Sequence, residues 1–204
     1  MKTLKPNQKR AMIAIILKWF SLILETISLI YLLFSILFVD ILITNDTLFS
    51  FFIDISTPLI ITVITINILS LIAMILWFKR AYYNLHQKVT NLSYGVGWAV
   101  GCWFVPILNF IRPYEIMKEL YVETDKLLKK DESNIDSRLN TKLLIFWWCF
   151  FVISVVLNII FYYNDDDFVI VLLSILGIIT SWLTIKVIKT YSIIEPKLAN
   201  DESN

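Results

Sequence analysis

The chain has 204 residues, 58% apolar and 17% charged, with a mean hydropathy of +0.73. A soluble domain averages about 45–50% apolar and about 25% charged, so an excess this large cannot be hidden in one water-exposed core. Four Gly and five Pro exclude collagen-like and low-complexity classes, and the net charge of +1 conceals an uneven distribution along the chain. The composition is that of an all-α integral membrane protein.

Five apolar segments follow one another: Ala11–Val39, Pro58–Phe78, Gly95–Ile111, Leu143–Tyr163 and Phe168–Ile188. A bilayer core of about 30 Å takes about 20 helical residues. The first segment exceeds the apolar region of a signal peptide, and Val39-Asp40-Ile41 offers no small-residue cleavage site. It is read as a first transmembrane helix over 18–39. Ser56 or Thr57 ahead of Pro58 predicts the start of a second helix, with a capping hydroxyl and proline at the first helical position. Spans over 143–163 and 168–188 form an antiparallel hairpin through Asn164-Asp165-Asp166-Asp167. The acids of that turn suit the N-terminus of the incoming helix.

Orientation follows from the bases, because basic loops stay cytoplasmic. Apart from Lys18, the Lys and Arg residues fall before the first span, between the second and fourth segments, or near and beyond the chain's last span. They share one side only if the third segment enters and leaves on that side. The opposite side then holds only acids: Asp40, Asp46, Asp54, Asp165, Asp166 and Asp167. The expected architecture is four transmembrane helices, in-out-in twice, with both termini cytoplasmic and one non-crossing segment over 95–113.

That segment opens on Gly95, Gly97 and Gly101 and carries Pro106 midway, which removes a helical hydrogen bond. Arg112-Pro113 ends it, so Pro106 and Pro113 are the expected helix breaks. Trp98 and Trp103 suit a membrane interface. The segment is therefore a re-entrant hairpin or an interfacial helix, and Gly97xxxGly101 offers a surface for close helix approach. The spacing is not a nucleotide-binding fingerprint, since it reads GxGxxxG and follows no strand.

The block Gly97-Trp98-Ala-Val-Gly-Cys-Trp103-Phe-Val-Pro106-Ile-Leu-Asn109-Phe-Ile-Arg112-Pro113-Tyr114-Glu-Ile-Met117-Lys-Glu119-Leu resembles the central signature of the domain-of-unknown-function 4328 family of bacterial membrane proteins. Trp77-Phe-Lys-Arg80-Ala-Tyr-Tyr-Asn84-Leu is similar to that family's aromatic and basic stretch. The likeness runs over roughly 58–190. It implies a bacterial cytoplasmic (inner) membrane and carries no known reaction.

Beyond Pro113, residues 114–130 predict an amphipathic cytoplasmic helix with Met117, Leu120, Tyr121, Thr124, Leu127 and Leu128 on one face. Its mixed charge argues against nucleic-acid binding. The tail over 196–204 is expected to be disordered.

Polar residues inside the spans carry the functional signal. Lys18, Ser21, Glu25, Ser28 and Ser35 share one face of the first helix. On the last, Ser174, Gly177, Ser181 and Thr184 form a small-residue stripe for helix packing. Lys18 lies two turns from Glu25, about 10.5 Å along the axis, so no direct pair is expected. An ionisable residue in the membrane is a functional candidate by default; depth puts Glu25 near Ser70 and Asn109, and Arg112 is taken with them. Those four are the candidate polar pocket.

Cys102, Cys149 and the lone His86 assemble no metal or catalytic motif, so no cofactor or metal is expected. The expected function is non-enzymatic: a scaffold or accessory subunit of a membrane complex, partnered by lipid and by a second copy or another membrane protein. The alternative is a small channel or transporter using Glu25 and the broken segment.

Overall fold

The computed structural model describes residues 4–130, 139–161 and 166–200. Among these the secondary structure is helical throughout. The first helices are α1 (Gln8–Leu37), α2 (Val39–Thr44), α3 (Asp46–Lys88) and the single turn α4 (Trp98–Gly101). A 3₁₀ turn at Leu108–Phe110 leads into α5 (Arg112–Lys130), and α6 (Thr141–Ile160), α7 (Asp167–Ile194) and α8 (Lys197–Asn200) complete the chain. Four of them, α1, α3, α6 and α7, are long and apolar enough to cross a membrane. This is the architecture of a multipass membrane protein.

The long helices lie in a row, α3–α1–α7–α6, each packed on the next, while α3 and α6 form its two edges. Side-chain bonds fix the antiparallel register of α1 on α3. Arg10 Nη1 donates to the Leu76 carbonyl at 3.1 Å, Ser21 Oγ to Asn67 Oδ1 at 2.8 Å, and Tyr31 Oη to the Phe52 carbonyl at 2.6 Å. Across α6 and α7, Trp147 Nε1 donates to Thr184 Oγ1 at 3.0 Å. Large apolar side chains cover the outer faces, with Leu37 75% and Phe168 74% exposed. Such a belt suits the apolar interior of a membrane.

The expected helix start at Ser56-Thr57-Pro58 is corrected: Pro58 lies inside α3. Asn45 caps that helix instead, its side chain accepting from the Leu48 amide at 3.1 Å. At 43 residues α3 is about 64 Å long, roughly twice a bilayer core. Near the proline, Tyr31 Oη and Ser56 Oγ occupy the Phe52 and Ile53 carbonyls. Pro58 has no amide to offer the Asp54 carbonyl, yet α3 continues through it.

Asp166 caps α7 by accepting from the Phe168 amide at 2.9 Å, and Asp167 lies in its first turn. Asn164 and Asp165 of the expected turn, with Lys2 and Arg138, lie outside the described residues.

The buried core sits at one end of the bundle, where Trp77, Phe78, Tyr82, Tyr121, Trp147 and Tyr191 are nearly or fully enclosed. The amphipathic helix supplies its lid. On α5 the buried face is Ile116, Met117, Leu120, Tyr121, Thr124 and Leu128. Tyr121 Oη donates to the Val187 carbonyl at 2.7 Å, and the Tyr82 hydroxyl donates to Glu119. Pro113 is the second residue of α5, so it begins a helix and does not break one. Pro106 lies in the turns between α4 and the 3₁₀ turn. The expected disordered tail is corrected over its first residues: α8 is helical and Leu198 is fully buried. Burying that side chain offsets the entropy of ordering the turn.

Candidate functional site

The first helix presents Lys18, Ser21 and Glu25 at spacings of three and four, which stacks them on one face. That face looks into the seam between α3 and α7. Lys18 Nζ donates to Asn67 Oδ1 at 3.4 Å and lies 3.5 Å from Ser21 Oγ. Ser21 is fully buried, with Glu25 Oε1 at 3.0 Å and Asn67 Oδ1 at 2.8 Å. A hydroxyl has one proton, so Ser21 serves one of these acceptors at a time. From α7, Ser181 Oγ donates to Glu25 Oε2 at 2.7 Å. Lys18 and Glu25 are joined through Ser21 and Asn67, and Ser181 brings in a third helix.

Two cavities flank this network. The larger, about 590 Å³, is lined by Glu25, Ser28, Asn67, Asn158, Ser174 and Gly177 among others. The smaller, about 280 Å³, meets Lys18, Asn67, Ser70, Trp103, Trp147 and Thr184. Asn67 belongs to both walls. Glu25 is the charged residue of the larger cavity and Lys18 that of the smaller. In a low-dielectric interior each charge favours its opposite in its own cavity.

Of the expected pocket, Glu25 and Ser70 flank the network from opposite cavities, while Asn109 and Arg112 lie apart from it. Arg112 begins α5, where it pairs with Glu115 at 3.2 Å and donates to the Tyr94 hydroxyl. Tyr94 in turn donates to Glu115 Oε2 at 2.8 Å, and burial pushes its own titration upward. Asn109 sits in the 3₁₀ turn, its Oδ1 buried without a partner among the described residues. Depth reckoning misses this division because residues near one level can stand on different sides of the bundle.

The packing expectation is corrected as well. A methyl group built at Gly97, Gly101 or Gly177 meets nothing within 4 Å, so none of the three sits at a close helix approach. Gly177 and Ser174 line the larger cavity, and Ser181 is buried against Glu25. Asn67 is the partner that sequence reasoning missed. Its polarity on an apolar helix was visible, but not its register with Lys18.

A second polar cluster lies at the core end. Asn7 Nδ2 donates to Glu195 Oε2 at 2.9 Å, and Asn84 Nδ2 donates to Oε1 at 2.7 Å. Asn84 also bonds the Lys5 backbone in both directions, so the N-terminal segment is fastened to α3 and to the end of α7. Burial holds the Glu195 carboxyl above its ordinary titration range. No local pattern marks Glu195, because its partners lie 188 and 111 residues away.

His86 Nε2 lies 2.8 Å from the Tyr94 carbonyl, a contact that holds the chain leaving α3. Among the described residues, no three His, Cys, Asp or Glu side chains converge as metal ligands.

The model of the domain-of-unknown-function family DUF4328 matches residues 53–192, more than half of the chain. The chain belongs to that family. The DUF4328 match takes in Asn67, Ser181, Trp103 and Trp147, whereas Lys18 and Glu25 precede it. No curated protein and no solved structure matches this DUF4328 chain.

Proposed function

We propose that this DUF4328 protein is a small membrane carrier whose transport site is the Lys18–Ser21–Glu25–Asn67–Ser181 network. The observation that carries the reading is the pair of cavities meeting at Asn67, one with a carboxylate and the other with an ammonium. Carriers commonly bind at mid-membrane between two aqueous half-cavities. The reading is favoured over a scaffold because Lys18 and Glu25, half-buried in apolar helices, are each costly to insert in lipid.

In this reading the core end faces the cytoplasm, because Lys5, Lys9, Arg10, Lys79, Arg80 and Arg112 gather there. Asp40, Asp46, Asp166 and Asp167 then face outward. The segment over 95–113 re-enters from the cytoplasmic side: α3 ends and α5 begins at that end, and α4 is a single turn. Its Phe104 and Ile107 are each 75% exposed, which suits insertion among lipid tails. Trp103 closes the smaller cavity, and movement of this segment would admit water to Lys18. The single Ser21 proton, shared between Glu25 and Asn67, lets the network exchange partners without stranding a buried charge.

Reconstitution into proteoliposomes tests the proposal. Currents are recorded while panels of cationic, zwitterionic and anionic solutes are applied. A current specific to one panel should appear with the native chain and vanish in Glu25→Gln, whose side chain keeps its shape. Traces equal to those of empty liposomes for every panel would overturn the reading, as would an undiminished current in Glu25→Gln.

A further inference from the structure

Resting on the carrier reading, we infer that the larger cavity is a binding site for amphiphilic organic cations, which enter it sideways from the membrane between α3 and α6. Four observations converge on this class of ligand.

The first is access. The row α3–α1–α7–α6 leaves α3 and α6 at its edges without a helix-long interface between them. All four helices line the larger cavity, so α1 and α7 form a floor and α3 and α6 the walls. Asn158 on the α6 wall is exposed, so the groove is reached between α3 and α6.

The second is charge. Glu25 is the ionisable residue on this lining, with Lys18 on the other cavity. A zwitterion lying wholly in the larger cavity would leave its carboxylate without a basic partner. A cation meets its counter-charge at once.

The third is the state of the carboxylate. Ser21 and Ser181 each direct a hydroxyl at one oxygen of Glu25, which orients the group. A carboxylate has about four acceptor sites, so acceptor capacity is left for a ligand.

The fourth is size and wall chemistry. A volume of about 590 Å³ falls in the range of sites for drug-sized molecules. Val63, Phe161, Ile170 and Leu173 supply an apolar wall, and Phe161 adds an aromatic face for cation–π attraction. An alkali ion would need neither the volume nor the apolar wall.

The test is equilibrium binding of radiolabelled tetraphenylphosphonium to the full chain in nanodiscs, which requires no transport. Saturable binding is expected in the native protein, at least tenfold weaker in Glu25→Gln. Gly177→Leu is the second variant. A Cβ there meets nothing within 4 Å and Gly177 lines the cavity, so the larger side chain is added into open space. It should abolish binding while leaving detergent melting unchanged. Binding that is non-saturable, or equal in Glu25→Gln and Gly177→Leu, is membrane partitioning and overturns the inference. Absent binding alongside a Glu25-dependent current for an inorganic cation, zwitterion or anion also overturns it, and leaves the carrier reading standing. Absent binding with no current for any solute overturns both.

Discussion

Ser181 and Glu25 stand 156 residues apart in the chain, and the serine hydroxyl donates to the carboxylate at 2.7 Å. This bond ties α7 to α1 beside the point where α1 meets Asn67 of α3. Ser181→Ala removes it and leaves Glu25 with the hydroxyl of Ser21 alone. On the scale of membrane hydrogen bonds the loss costs about 0.6–2 kcal/mol. Thermal unfolding in mild detergent should fall by that amount, with Ser174→Ala unchanged as control, since Ser174 bonds only its own helix at the Ile170 carbonyl.

Glu195 predicts a pH dependence at the other end of the bundle. Burial raises its titration, while donation from Asn84 and Asn7 opposes the rise. The folded chain therefore holds a proton on Glu195 at pH values where the unfolded chain has lost it. Stability is highest below the ordinary carboxyl range near 4.5 and falls as pH rises through the raised folded value. Glu195→Gln should flatten this slope between pH 4.5 and neutrality, measured as melting temperature against pH. An unchanged slope would mean that another carboxyl titrates there.

Leu198 tests whether the C-terminal turn belongs to the fold. Its side chain is fully enclosed, and α8 packs on α5. Leu198→Ala should lower stability by about 2–5 kcal/mol through lost burial and the cavity left behind. Ile193→Ala, at an exposed position, should change it by less than about 0.5 kcal/mol.

The sequence made the spans legible because twenty-residue apolar runs have few other uses. The buried face of α5 was legible from its 3.6-residue period, and the acids before α7 from the pull of a helix N-terminus on negative charge. Pro58 misled because a local capping signal says nothing of Asn45, which caps α3 thirteen residues earlier. The glycines misled because small size permits close approach without requiring it. Glu25 stood out as a charge in an apolar run, yet Asn67 and Ser181 became its neighbours through register between distant helices. Glu195 was invisible for the same reason. What a single sequence displays is the face of each helix, and the site arises where three faces meet.

The central claim is that the Lys18–Glu25 network divides two hydrated cavities that open on opposite sides. Its most direct test is thiol accessibility at Ser28 and Ser70, which line the larger and the smaller cavity. Each is replaced by Cys in a background free of Cys102 and Cys149, and impermeant reagents are applied to sealed right-side-out and inside-out vesicles. Ser28→Cys should react from the outer face, faster with an ammonium-bearing reagent, because Glu25 lies one turn away on the same helix. Ser70→Cys should react from the inner face, faster with a sulfonate-bearing one, because Lys18 shares its cavity. Reaction of both from one face, or of neither from either, would contradict the account.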